Sequence, residues 1–403
     1  MSRAFLAHCP RRRLVIHMDL NKTLLQVDPA GGRSVEDVLN SNAAGVVYGV
    51  VDDAGLWRPC YGPKNRPPTD PLPQDPVTKG PTPPNGPPAL ITYAAYVDAT
   101  YGEPVGMRGL PLDLRRARWA EVTAHRRAAT GGFTAPGAVG EPYADLVEEQ
   151  RRCLGGDGHH IIPAFFKLVN LLSTQDWPFT LIFRTFGEDL PRVLEEWQRF
   201  IKGEHKYRPE GVVLQRMREN GIPPRTGSMY RNHEKMYLCL GPSRSISSFG
   251  SLNLEKINHS DVEATLVELR KLPNCYDVRQ TSFHQLNNEL IQFYAESNNV
   301  GGLIDYYPAW AQVAEQRNGG KVFPVPFSKR EEDMNYYVFF DDNIFIGDER
   351  SIVDLRDAYT AESLIGSTLE SPFCISVSSY EAITNEDYFI DCLCERLQLQ
   401  LKI

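Results

Sequence analysis

The sequence predicts an α/β fold built on a parallel central sheet. Three observations carry that reading. Apolar runs of strand length recur along the chain, amphipathic helical patterns flank them, and the runs end in polar, chemistry-bearing residues. A run that is apolar at every position is a strand covered on both faces, as in a parallel sheet. Strands alternating with helices supply the crossovers such a sheet needs.

Leu14-Val15-Ile16-His17-Met18 reads as the first buried strand; it ends in Asp19 and runs on into Asn21-Lys22-Thr23. An insertion over 28–150 follows. Its stretch from Pro59 to Pro88 holds twelve prolines, which excludes helix and central strand and predicts a long surface loop with extended segments. That loop also offers PxxP docking to a protein partner. Leu112 to Ala129 reads as a helix, and its Arg115, Arg116, Arg118, Arg126 and Arg127 form a solvated face or a basic patch for an anionic substrate. Ile162, Phe165, Phe166, Val169 and Leu172 repeat at helical spacing before the second strand, Phe179 to Arg184, which ends in Thr185-Phe186-Gly187. Leu190, Val193, Leu194, Trp197 and Phe200 form the next helix. Glu188 and Asp189 lie at its positive end, and Pro191 is in its first turn. Within 203–300, Arg231 to Leu240 resembles a strand and His284 to Glu296 a helix; this segment is otherwise unplaced and is open to being a further insertion. Tyr336 to Phe340 is a strand ending in Asp341-Asp342-Asn343; Phe373 to Val377 is a fourth, and Asp391 to Leu401 a closing helix. The expected organisation is a core of 1–27 and 151–403 interrupted by the insertion.

Composition narrows the function. The 403 residues are 42% hydrophobic and 23% charged, which supports a packed core and excludes a wholly disordered or collagen-like chain. With 43 basic and 51 acidic residues the net charge is −8, a poor match to nucleic acid. No apolar run reaches the roughly 20 residues of a membrane span, so the cytoplasm is the expected location. The acid-free, arginine-bearing start, Met1 to Arg13, reads as a solvated tail, with a mitochondrial leader as the other reading. The eight cysteines form no CxxC pair and no zinc spacing.

Ligands of parallel sheets bind outside the carboxyl ends of the strands, where the polar residues above fall. If those strands are neighbours, Asp19, Asp341 and Asp342 crowd one small volume. Like charges that close require a cation, and hard oxygen donors with room for water suit Mg2+. A carboxylate beside that ion can attack phosphorus, while the Thr185 hydroxyl and a lysine hold the phosphoryl oxygens. Taken singly, Asp19 serves a turn, Thr185 a helix cap and Asp341-Asp342 a plain turn; the chemical reading rests on the set. Other signatures fail. Asp19-x-Asn21-x-Thr23 has Leu24 where a calcium loop needs glycine. His233-Glu234 lacks its second histidine, no phosphate loop or strand-linked GxGxxG occurs, and His159-His160 after the 155–158 glycine loop reads as a helix start.

Asp19-Leu20-Asn21-Lys22-Thr23, Thr185 with Gly187, and Asp341-Asp342, each after an apolar strand and in this order, resemble the motifs of the haloacid dehalogenase (HAD) superfamily. The resemblance covers about a third of the chain. It implies a Rossmann-like three-layer core, a Mg2+ ion and an aspartyl-phosphate on Asp19, with 28–150 similar to a cap. By that resemblance Asp19 and Asp341 hold the metal, with Asp342 assisting and the Asn21 carbonyl available. The substrate is held by Thr185, Phe186, Gly187 and a motif lysine, expected at Lys321 with Lys329 and Lys235 as alternatives. The expected substrate is a small phosphorylated molecule or a phosphoprotein. One departure matters: Asn21 stands where the family's phosphatases carry a second aspartate. An amide cannot exchange a proton, and losing a general acid or base costs about 10²- to 10⁴-fold. Slow turnover of alkyl phosphates is therefore expected. The alternative is a catalytically impaired HAD-fold binding or scaffold protein.

Overall fold

The computed structural model describes residues 5–6, 8–26, 33–64, 90–103, 106–107, 110–154, 160–231, 235–243, 261–272, 275, 277–313, 315–330, 333 and 335–402. In chain order the first strand, β1 (Arg13–Asp19), is followed by three short ones, β2 (Tyr48–Val51), β3 (Trp57–Tyr61) and β4 (Ile91–Thr92). Nine more follow: β5 (Phe179–Thr185), β6 (Arg225–Arg231), β7 (Met236–Ser243), β8 (Asp277–Thr281), β9 (Val300–Asp305), β10 (Lys321–Val325), β11 (Asn335–Asp341), β12 (Val353–Asp357) and β13 (Cys374–Ser376). The chain divides into two compact units, one of residues 1–25, 160–377 and 385–403, the other of 26–159 and 378–384.

The first unit is mixed α/β around an eight-stranded sheet of order β13-β11-β1-β5-β9-β6-β7-β8. All pairs from β13 to β6 are parallel; β6, β7 and β8 are antiparallel. The sheet is thus mainly parallel with an antiparallel edge. The single strand expected over 231–240 is two, β6 and β7, paired as a ladder from Arg225 to Arg231. The strand pattern in sequence comes from Met236–Leu240, which is apolar and buried, whereas β6 carries Arg225, Thr226, Gly227 and Ser228.

Register does the work for the site. Met18 is level with Phe340 on one side and Phe183 on the other, and Asp19 with Arg184. The carboxyl ends of β11, β1 and β5 therefore lie side by side. One face of the sheet packs Val15, Ile182, Leu303 and Phe339 against Val322, Phe323, Val353 and Leu355 of the separate parallel pair β10–β12, and against Leu286, Leu290 and Tyr294 of the helix Phe283–Ala295. The other face meets amphipathic helices: Phe183 packs on Phe165 of Pro163–Thr174 and Trp197 of Leu190–Lys202, and Phe340 on Phe389 of Tyr388–Gln400.

Residues 203–300 supply β6, β7, β8 and three helices to this unit. Strand β9 had no sequence signal because Gly301-Gly302 interrupts its apolar run. The glycines are required there: a Cβ on Gly301 would lie 2.1 Å from the Tyr294 ring and 2.5 Å from the Arg225 carbonyl.

The second unit has a three-stranded antiparallel sheet, β3-β2-β4, and a core in which Tyr93 stacks on Phe133 and meets Trp57 edge-on. Ser34 and Asp37 form a capping box on the helix Val35–Ala44. Pro59 lies on edge strand β3, where a missing amide costs no ladder bond. The remainder of the proline-rich stretch, 65–89, and with it the partner-docking expectation, lies outside the described residues. The expected arginine-rich helix runs Leu112–Gly131; its Arg126 binds the Tyr101 and Asp98 carbonyls and lies over the Trp119 ring. Among the described residues no helix is long and apolar enough to cross a membrane.

Candidate functional site

Strand β1 is buried from Leu14 onward and delivers Asp19 at its carboxyl end; β11 delivers Asp341, with Asp342 next in the turn. Ligand oxygens of Asp19, Asp341 and Asp342 all lie within 4.8 Å of one another, the one such acidic group among the described residues. The turn after β1 is tied down by backbone bonds from Leu24 and Leu25 to the Leu20 carbonyl, and Lys22 takes a left-handed φ of 61°. Thr23 Oγ1 accepts from the Asp342 amide at 3.1 Å, which joins the two turns.

Lys321 opens β10, outside the main sheet, and is 1% exposed. Its Nζ donates to Asp341 Oδ2 at 2.7 Å and to Asp19 Oδ1. Gly320 makes this approach possible, because a Cβ there would lie 2.0 Å from the Ile352 carbonyl. Of the three lysines weighed from sequence, Lys321 is the one the fold brings to the carboxylates. Lys329 lies over the Tyr359 ring, and Lys235 immediately precedes β7.

The electrostatics are those of an under-neutralised cluster. Burial and the charge of Asp341 push Asp19 well above the usual carboxylate range against the pull of Lys321. Burial likewise raises Asp342 to about 6, with Asp341 adding to the rise and Lys22 and Lys321 opposing it. Burial alone would lower the Lys321 ammonium; Asp19 and Asp341 more than reverse this and hold it charged. Lys22 Nζ is 3.7 Å from Asp342 Oδ2. Asp19, Asp341 and Asp342 thus offer an oxygen-only donor set, the kind that hard divalent cations take.

The second cluster adjoins the first through Asn21, two residues past Asp19. Asn21 Nδ2 donates to Asp189 Oδ2 at 3.0 Å, and Asn21 Oδ1 is buried with no partner among the described residues. Thr185 Oγ1 accepts from the Gly187 amide at 2.8 Å. At Gly187 an added Cβ would be 3.5 Å from both Thr185 Oγ1 and Asp189 Oδ2, so its bareness keeps this corner open. The Phe186 ring stacks on Trp310 at 5.4 Å and lies 5.5 Å from Lys321 Nζ.

Sequence reasoning missed two groups. The first is the buried network beneath the site. Arg184 donates twice to Asp305, at 2.9 and 2.6 Å, approaches His17 Nδ1 at 2.8 Å and reaches the Val322 carbonyl at 3.2 Å. It clamps β10, and so Lys321, onto the sheet. Burial and the Arg184 charge lower His17 well below its usual range, so it is neutral, with Nδ1 accepting and the proton on Nε2. A charged residue inside an apolar run, Arg184, was the available signal. The second is Asp189, legible only as a helix-start acid. It occupies the N-cap of Leu190–Lys202 but makes no side-chain capping bond, and its carboxylate is given to Asn21.

Comparison with family models, with curated proteins and with solved structures finds no match to this chain.

Proposed function

We propose that the chain is a HAD-like, Mg2+-dependent phosphohydrolase, a cytoplasmic enzyme that acts on a small phosphorylated molecule or a phosphoprotein through an aspartyl-phosphate on Asp19. The observation that carries this reading is the buried set of Asp19, Asp341 and Asp342 with Lys321 between two of them. Asp19, Asp341 and Asp342, with the Asn21 carbonyl available, would hold the ion. Mg2+ would supply charge neutralisation for the carboxylates and polarise a phosphoryl oxygen. Lys321 positions the Asp19 carboxylate and offers positive charge to the phosphoryl oxygens, as does the Thr185 hydroxyl. Phe186 and Gly187 shape the floor of the phosphoryl subsite.

In the first step a carboxylate oxygen of Asp19 bonds to phosphorus while the bond to the leaving oxygen breaks, and the leaving group takes the electron pair. In the second, water attacks the same phosphorus, the Asp19 carboxylate departs, and both water protons leave with orthophosphate. Asn21 cannot protonate the leaving oxygen, so acyl and aryl phosphates are favoured over alkyl esters.

The test is phosphate release from acyl, aryl and alkyl phosphates, with Mg2+ and with chelator, for wild type and Asp19→Ala. Metal-dependent release abolished by Asp19→Ala supports the reading. No release from folded, metal-loaded wild type overturns it and leaves the binding or scaffold reading that Asn21 favours.

A further inference from the structure

We propose that Asp189 is a positioning residue that turns the Asn21 amide so that its nitrogen faces away and its oxygen is presented to the phosphorylated group beside Asp19. The inference rests on the phosphohydrolase reading above and deepens it. Toward the reacting group, position 21 then receives a hydrogen bond and gives no proton.

A carboxylate oxygen accepts, so the end of the amide facing Asp189 is the nitrogen, at 3.0 Å. That leaves Oδ1 as the free end, and it is a buried acceptor with no partner among the described residues. Buried acceptors are normally satisfied; this one, two residues past Asp19, is open to a donor that the described residues do not supply. Asp189 makes the same point from the other side. It stands at a helix N-cap, where its carboxylate would ordinarily accept from the first-turn amides, yet it forgoes that bond for Asn21. The pair lies beside Thr185: a Cβ built at Gly187 would be in ordinary contact, 3.5 Å, with both Thr185 Oγ1 and Asp189 Oδ2.

The donor that fits a fixed acceptor at this point is the water that hydrolyses the aspartyl-phosphate. Asn21 Oδ1 holds one of its hydrogens and so aims its oxygen at phosphorus, while both protons stay with the departing orthophosphate. The same geometry defines the substrate class. With an acceptor rather than an acid at position 21, the leaving oxygen must depart as a stable anion, which acyl and aryl phosphates allow.

The experiment uses the full chain with Asp189→Asn, Asp189→Ala and Asp189→Glu, and two readouts. The first is the side-chain amide signal of Asn21 in a nitrogen-15 spectrum, identified by its loss in Asn21→Ala. In wild type it is expected to be dispersed and protected from exchange, and in Asp189→Ala to merge with the exposed amides. The second is acetyl phosphate hydrolysis with Mg2+, below the melting temperature of every variant. Asp189→Ala removes the acceptor that holds the amide, and kcat is expected to fall about tenfold, the worth of one hydrogen bond; Asp189→Asn, whose carbonyl oxygen still accepts, is expected to lose less. KM and the Mg2+ affinity stay within about twofold, and Asp189→Glu recovers part of the loss. A merely structural role would lower the melting temperature without this split between kcat and KM. An unprotected Asn21 amide in wild type, a signal unchanged in Asp189→Ala, or an unchanged kcat in Asp189→Ala overturns the proposal. Wild type without turnover overturns the phosphohydrolase reading and the catalytic part of this one, and the Asn21 signal then judges the hold of Asp189 by itself.

Discussion

Replacing Lys321 by methionine keeps the length of the side chain and deletes the ammonium that separates two buried carboxylates. At 2.7 Å from Asp341 Oδ2, a unit charge pair at an effective dielectric of 20 attracts by about 6 kcal/mol, and the contact to Asp19 adds a comparable amount. Most of this is offset, because the ammonium no longer needs desolvating and the carboxylates can take up protons. Breaking a buried pair by removing one partner nets about 3–5 kcal/mol of destabilisation. For a unit of this size each kcal/mol moves the melting temperature by about 2–4 °C, so Lys321→Met should melt roughly 6–20 °C below wild type in chelator. A divalent ion would neutralise the three carboxylates left behind, so Mg2+ should raise the melting temperature of Lys321→Met by more than it raises wild type, where saturation at a hundred times Kd is worth about 2.7 kcal/mol. Differential scanning calorimetry with and without Mg2+ reads both effects, with exposed Lys329→Met as the control. Melting within 2 °C of wild type in chelator, or an equal Mg2+ increment in both proteins, would refute the assignment of Lys321 as the cation that holds this cluster together.

Asp342 has a folded pKa of about 6, above its ordinary 3.8. The native state therefore holds a proton that the unfolded chain has lost between those values, and metal-free stability should fall as pH rises from about 4 to about 6. Mg2+ binding requires the deprotonated form, so its affinity should weaken by up to tenfold per pH unit below about 6; a flat calorimetric affinity across that range would count against Asp342 as a ligand. Asn21→Asp places a second carboxylate about 3.0 Å from Asp189, where one of the two must take up a proton. Release of phosphate from alkyl esters should rise by about 10²-fold, and no gain in a folded, Mg2+-binding variant would refute the missing-acid account. Gly301→Ala drives a methyl into the Tyr294 ring at 2.1 Å, and urea unfolding should show a loss of about 1–3 kcal/mol.

Much of the candidate site was legible in the sequence because these buried strands are apolar along most of their length, and polar residues follow at their carboxyl ends. Asp19, Thr185 and Asp341 stand out after β1, β5 and β11 for that reason. The helices Pro163–Thr174 and Leu190–Lys202 were legible because each buries one stripe. Strands β9, β10 and β12 were not. Gly301-Gly302 and Pro324 interrupt the apolar runs of β9 and β10, and Asp354, Arg356 and Asp357 make β12 polar. In the fold, Asp354 is paired with Arg231 and Arg356, and Asp357 accepts from the Ser328 and Tyr359 amides. The pairings to Arg231 and Ser328 join residues far apart in sequence, and no local pattern reports them.

The amino-acid sequence by itself determined that the chain alternates strands and helices, and which residues the strands present at their carboxyl ends. Only the tertiary structure decided that β11, β1 and β5 are neighbours, that Lys321 rather than Lys329 or Lys235 reaches the carboxylates, and that Asp189 binds Asn21 instead of capping its helix. The physical reason is one of range. Periodicity and capping act over a few residues and are written locally, whereas the order of strands in a sheet and the partner of a buried charge are settled by the packing of the whole core.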